Sequence, residues 1–152
     1  MAIKLVIVSG TVFGAAEDVA HHAAQVLTAA GLNVSYKPRI SYSELVALEP
    51  EALLFVTSTT GMGELPENLQ PLVNALRDQP PQWAGLLGAV IGLGDACYGE
   101  DFCAGGEAIR ELYAELGIVE LQEMLRLDAS ETVTPESDAE PWLAELAACL
   151  AV

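Results

Sequence analysis

Positive charge is the scarcest commodity in this sequence. Six lysines and arginines stand against 22 aspartates and glutamates, a net charge of −16. So acidic a surface repels polyphosphate chains and anionic bilayers, which argues against nucleic acid and membranes as partners. Cysteine is also scarce, at three residues whose spacings are unlike those of zinc motifs. That odd number argues against a disulfide framework and for a reducing compartment, so the expected location is the cytoplasm. No apolar run reaches the length of a bilayer span. Met1 to Gly10 lack the charge and length plan of a secretory leader and are expected to form a first strand instead.

What is present is apolar material, 52 % of 152 residues. One domain covering 1–152 is expected, with enough chain for a sizeable core. The charge is uneven. Residues 1–94 carry 8 acids and 4 bases, and residues 95–152 carry 14 acids and 2 bases. The plain account of this excess is a solubilising surface. The sharper one is docking of basic proteins, with long-range steering of their approach; a monomer is the default expectation.

Ile3–Val8, Ala52–Thr57 and Leu87–Leu93 are short apolar runs rich in β-branched residues, as expected of strands buried on both faces. Val34 and Tyr36 alternate with polar residues and predict an edge strand, and Met124–Leu127 predicts a fifth strand. Between these strands, apolar residues at helical spacing predict helices over about 14–30, 66–77 and 103–116. A short helix over 43–48 is expected to be capped by Ser43, and a last helix to start at Pro141 after a polar loop over 128–140. Strictly alternating strands and helices imply an α/β fold: a parallel sheet with helices on both faces and right-handed crossovers.

In such a sheet ligands bind outside the carboxyl ends of the strands. Three loops fall there. Ser9-Gly10-Thr11-Val12-Phe13-Gly14-Ala15 leads into a helix, whose N-terminal N–H groups favour an anion. It contains no lysine or arginine, and it is neither a Walker loop nor a dinucleotide fingerprint. The second loop, Thr57 to Pro66, offers hydroxyls, Gly61 and Gly63, and little bulk. The third, after Leu93 and Gly94, carries Asp95, Tyr98 and Phe102, and Tyr98 is placed to stack on a flat ring. Taken singly, each reads as well or better as a tight turn, a flexible connection or a core-covering tyrosine. Together they fit a phosphorylated flat heterocycle.

Ser-Gly-Thr-Val-Phe-Gly-Ala-Ala-Glu at 9–17, Ser-Thr-Thr-Gly-Met-Gly-Glu-Leu-Pro-Glu-Asn at 58–68 and Gly-Leu-Gly-Asp-Ala-Cys-Tyr at 92–98 make the chain resemble a short-chain flavodoxin of the MioC type, over essentially its whole length. The resemblance implies a flavodoxin-like, doubly wound, five-stranded sheet of order 2-1-3-4-5. It also implies flavin mononucleotide as cofactor. Ser9, Gly10, Thr11, Val12, Phe13, Gly14 and Ala15 would surround the phosphate. Thr59, Thr60, Gly61, Met62 and Gly63 would line one side and edge of the ring, Leu93, Gly94 and Asp95 would hold its pyrimidine edge with Tyr98 stacked on it, and Phe102 would complete the set. Phe13 and Ala15 stand where many flavodoxins carry hydroxyls, which lowers the expected hold on phosphate. Thr60 stands where a ring platform is common, and Gly99-Glu100-Asp101 is one residue longer than the family's usual spacing.

The function so implied is one-electron transfer between a basic NAD(P)H-dependent reductase, of the flavodoxin/ferredoxin reductase kind, and acceptor proteins. Both would dock on an acidic rim that includes Glu64, Glu67, Asp95, Glu100 and Asp101. The protein would be a carrier, with no catalytic side chain and no metal. Alternatives are a flavin-dependent reductase of small substrates, for which Thr60 leaves room, and a flavin-free adaptor. A phosphorelay receiver of the same topology needs acids where this chain has Ser9 and Thr57–Thr59. His21, His22, Cys103, Cys149, Trp83 and Trp142 are expected to be structural.

Overall fold

The computed structural model describes residues 3–10, 14–37, 39–58, 65–94, 104–128 and 134–150. In chain order the elements are β1 (Lys4–Gly10), α1 (Ala15–Ala29), β2 (Asn33–Tyr36), α2 (Tyr42–Ala47), β3 (Ala52–Thr57), α3 (Gln70–Asp78), β4 (Leu87–Gly94), α4 (Ala104–Leu116), β5 (Val119–Glu120), β6 (Leu125–Asp128) and α5 (Pro135–Leu150). The sheet runs β2-β1-β3-β4-β5, with β6 also paired to β4, and every pairing is parallel. The expected α/β fold and strand order are therefore present.

Alternation along β1 divides the core. Leu5 and Ile7 face α1 and α5, where Val19, Ala23 and Leu27 meet Leu143, Leu146 and Leu150. Val6 and Val8 face the opposite layer, formed by Leu45 of α2, Leu72 and Leu76 of α3, and Ile109 and Leu112 of α4. Burial on both faces is why β1, β3 and β4 read as unbroken apolar runs. In the second layer Phe55 and Tyr113 meet edge to face at 5.8 Å, and the Tyr113 hydroxyl donates to the Ala89 carbonyl at 2.8 Å.

Five local expectations need correction. The cap of α2 is Ser41, not Ser43: Ser41 Oγ accepts from the Glu44 N–H, and the Glu44 carboxylate accepts from the Ser41 N–H. This reciprocal box contributes about 1 kcal/mol and moves the start back. Helix α3 starts at Gln70, because Pro66 first forms a tight turn whose carbonyl takes the Leu69 and Gln70 N–H groups. The fifth place in the sheet is shared by two short strands. Between them Trp142 Nε1 donates to the Glu123 carbonyl and Gln122 Nε2 to the Trp142 carbonyl, which ties this stretch to α5. Finally, α5 begins at Pro135, within the stretch expected to be loop, and carries Pro141 inside it. Both prolines are compatible with a helical start, and it is the burial of Ala139 that draws 135–140 onto the sheet. Cys149 of that helix is exposed rather than packed.

Candidate functional site

The register sets Gly10, Thr57 and Gly92 side by side on three adjacent strands, and β4 continues two residues further to Gly94. The segments that leave β1, β3 and β4 thus start from one edge of the sheet. After β1 the chain passes to α1 on one face, and after β3 it passes to α3 on the other. Connections that diverge between neighbouring strands leave a crevice at the carboxyl edge, the usual ligand position of open α/β sheets.

Of the expected site residues, Ser9, Gly10, Gly14, Ala15, Leu93 and Gly94 are described, and all lie at this edge. Thr11, Val12, Phe13, Thr59, Thr60, Gly61, Met62, Gly63, Asp95, Tyr98 and Phe102 fall outside the described residues. Gly14 is the N-cap of α1 at φ 94°, and among the described residues no side chain caps the helix. A Cβ added at Gly14 would meet nothing within 4 Å. A helix N-terminus opened by a left-handed glycine is the kind of donor set an anion needs. These residues fit a phosphate held by backbone dipoles. The first turn also carries Glu17 and Asp18, so the same dipole field already faces negative charge.

Ser9 is 3 % exposed. Its hydroxyl lies 2.9 Å from the Tyr36 hydroxyl, and its carbonyl accepts from Asn68 Nδ2 at 3.2 Å. Tyr36 and Asn68 therefore brace the edge from two directions. Neither was singled out from the sequence, since their contacts span 27 and 59 residues. The only local sign was the alternation that marks Tyr36 as an edge-strand residue. Burial pushes the Tyr36 phenol up; the Ser9 hydrogen bond offsets part of this, and the carboxylates of Glu17 and Asp18 add to the rise.

The acidic excess is paired only in part. The two bases of residues 95–152 are Arg110 and Arg126. Arg110 binds Glu120 at 2.8 Å and Glu107 at 3.2 Å, and Arg126 binds Glu107 as well. Burial tends to raise the Glu107 carboxyl, but the Arg126 bond and the nearby Arg110 and Arg126 charges outweigh it and hold the group low. Across the helices, His22 meets Glu140 at 2.9 Å. Among the described residues no group of three or more His, Cys, Asp or Glu is arranged to hold a metal, and no helix is long and apolar enough to cross a membrane. A cavity of about 290 Å³ beside β2, lined by Val6, Ser35, Tyr36, Lys37, Ile40 and Leu48, includes no residue of β3 or β4.

Comparison with known proteins agrees with this geometry. The flavodoxin family model matches residues 7–142. An uncharacterized protein of Pseudomonas aeruginosa is 66 % identical over 148 residues, covering 97 % of this chain and 99 % of the relative. Flavodoxin YqcA of Escherichia coli is 36 % identical over 134 residues, covering 88 % of this chain and 89 % of the relative. Among solved structures, a cysteine-to-alanine mutant of flavodoxin from Pseudomonas aeruginosa superimposes with a TM-score of 0.94 at 65 % identity, over 97 % of this chain and 99 % of that one.

Proposed function

This chain belongs to the flavodoxin family, and from that premise we propose that it binds flavin mononucleotide across the carboxyl ends of β1, β3 and β4 and works as a one-electron carrier. The observation that carries the reading is the Gly10–Thr57–Gly92 register, which starts three ligand-type loops side by side where the connections diverge. The cofactor supplies the redox chemistry when bound, and the protein supplies binding, orientation and electrostatics. Gly14 and the first turn of α1 would hold the phosphate through N–H groups, assisted by Thr11. Thr59 to Gly63 and Leu93 to Tyr98, with Phe102, would hold the ring. Ser9 would serve from beneath, since its hydroxyl is engaged by Tyr36.

The proposed partners are a basic NAD(P)H-dependent reductase of the flavodoxin/ferredoxin reductase kind and acceptor proteins. Pairing of Arg110 and Arg126 with Glu107 and Glu120 supports this, because it leaves the acids of residues 95–152 without a free balancing base. Residues 1–152 would act as one domain, as a cytoplasmic monomer, with no catalytic side chain of their own. A relay assay tests the reading. The flavin-loaded protein, NADPH, a flavodoxin reductase and cytochrome c are combined. Cytochrome reduction should need both proteins, saturate with the carrier and slow as salt screens the docking. NADPH oxidation by the loaded protein alone, with a quinone as acceptor, would instead identify a reductase.

A further inference from the structure

We propose that Tyr36 is a positioning residue for the loop between β1 and α1, and that through Ser9 it sets the protein's preference for phosphorylated over unphosphorylated flavin. The proposal rests on the flavin reading above and adds a residue to it.

The two outer neighbours of β1 support it unequally. β3 pairs with β1 all the way to Gly10, whereas β2 pairs only as far as Ile7, opposite Tyr36. Among the described residues, Val8, Ser9 and Gly10 therefore run on without a paired strand on the β2 side. Side chains replace it. The Tyr36 hydroxyl reaches Ser9 Oγ at 2.9 Å, and Asn68 Nδ2 takes the Ser9 carbonyl at 3.2 Å. On the other side the Gly10 carbonyl accepts from the Ser58 N–H at 2.9 Å. Ser9 is thus the last side chain gripped before the chain enters the loop.

The far end of the loop is close in sequence, because α1 opens at Gly14. The direction in which Ser9 delivers the end of β1 sets how that end stands relative to the first turn of α1, where an anion would be held. Tyr36 acts on the entry, which it hydrogen-bonds at Ser9. Its ring also packs against the core layer beneath α1. Removing the hydroxyl alone leaves that packing and takes a partner from a buried Ser9 oxygen, which costs more than an exposed hydrogen bond would. Only ligands that use the anion loop should register the change.

The test is titration of the apo-protein with flavin mononucleotide and with riboflavin, for the wild type, Tyr36→Phe, Ser9→Ala and the double variant, with thermal midpoints alongside. Tyr36→Phe should weaken the mononucleotide about tenfold and leave riboflavin within about twofold. Ser9→Ala, which removes the same contact from the other side, should do likewise, and the double variant should be no worse than either single one. A parallel loss of both ligands would make Tyr36 a general stabiliser and overturn the proposal, as would unchanged binding in both single variants. Wild-type protein that binds neither ligand would overturn the flavin reading itself, and this proposal with it.

Discussion

Gly10 and Leu69 lie in such close contact that no side chain fits between them. A Cβ built on Gly10 would stand 2.7 Å from Leu69 Cδ2 and 3.2 Å from Thr57 Oγ1. Leu69 is 1 % exposed and locked into the layer beneath α3, so it cannot swing aside. The end of β1 and the approach to α3 are held in close contact with each other. Gly10→Ala should therefore cost about 1–3 kcal/mol in urea unfolding, as overpacking does. It should also weaken flavin mononucleotide more than loss of stability alone explains.

Gly106 does the same for α4 and β4. Its added Cβ would lie 2.5 Å from Met124 Sδ and 3.2 Å from the Gly92 Cα. The thioether can move and the strand backbone cannot, so the Gly92 contact decides the outcome. Gly106→Ala should push α4 off β4 and lower stability by about 1–3 kcal/mol. Unfolding curves measured with Met124→Leu in the same background would show whether a changed side chain at 124 recovers any of the loss. Little recovery is expected.

Glu17 and Asp18 share the first turn of α1 with the expected phosphate, and no lysine or arginine lies between residues 5 and 36. Their charges should oppose the ligand. Glu17→Gln and Asp18→Asn should each tighten flavin mononucleotide about two- to fivefold at low salt, an effect that shrinks as the Debye length falls. Riboflavin should not respond. Wild-type affinity for the mononucleotide should hold steady or rise with salt, the reverse of a site built on lysine or arginine.

Glu107 gives a pH signature. Its folded carboxyl is held below the ordinary value of 4.5 despite burial, by Arg126 and Arg110. A group depressed on folding contributes stability that is fully present above its unfolded value and is lost as pH falls through the folded one. The loss should therefore appear below about pH 4.5. Glu107→Gln should flatten that part of the acid limb, read as thermal midpoint against pH, and leave the curve near neutrality parallel to the wild type.

Much of this was legible beforehand because burial writes itself into composition. Ile3–Val8, Ala52–Thr57 and Leu87–Leu93 could hardly be anything but central strands, and all three are. Helix faces followed from spacing, as with Leu69, Leu72, Val73 and Leu76, every one of them buried. Strand order came from the family resemblance rather than from any periodicity. Ends were harder, because several residues compete for the same role. Ser41 and Ser43 both suit an N-cap, and only Ser41 has Glu44 three residues on. Pro135 and Pro141 both suit a helical start, and tertiary burial of Ala139 chose between them. A two-residue strand such as Val119–Glu120 carries too little pattern to be read. The supports of the site were invisible for a different reason. Tyr36 and Asn68 matter through Ser9, and those contacts exist only once distant strands are side by side.

The central claim is that the edge formed by Gly10, Gly14, Thr57 and Gly94 holds a phosphorylated flavin. The most direct measurement is titration of the apo-protein with flavin mononucleotide, followed by quenching of flavin fluorescence, with riboflavin as the control. Saturable quenching by the mononucleotide is expected at much lower concentration than by riboflavin, because the phosphate adds the N-terminus of α1 to the ring contacts. Equal affinities would contradict the role of that N-terminus. Absence of saturable quenching by either would contradict the carrier function and leave an adaptor on a flavodoxin fold.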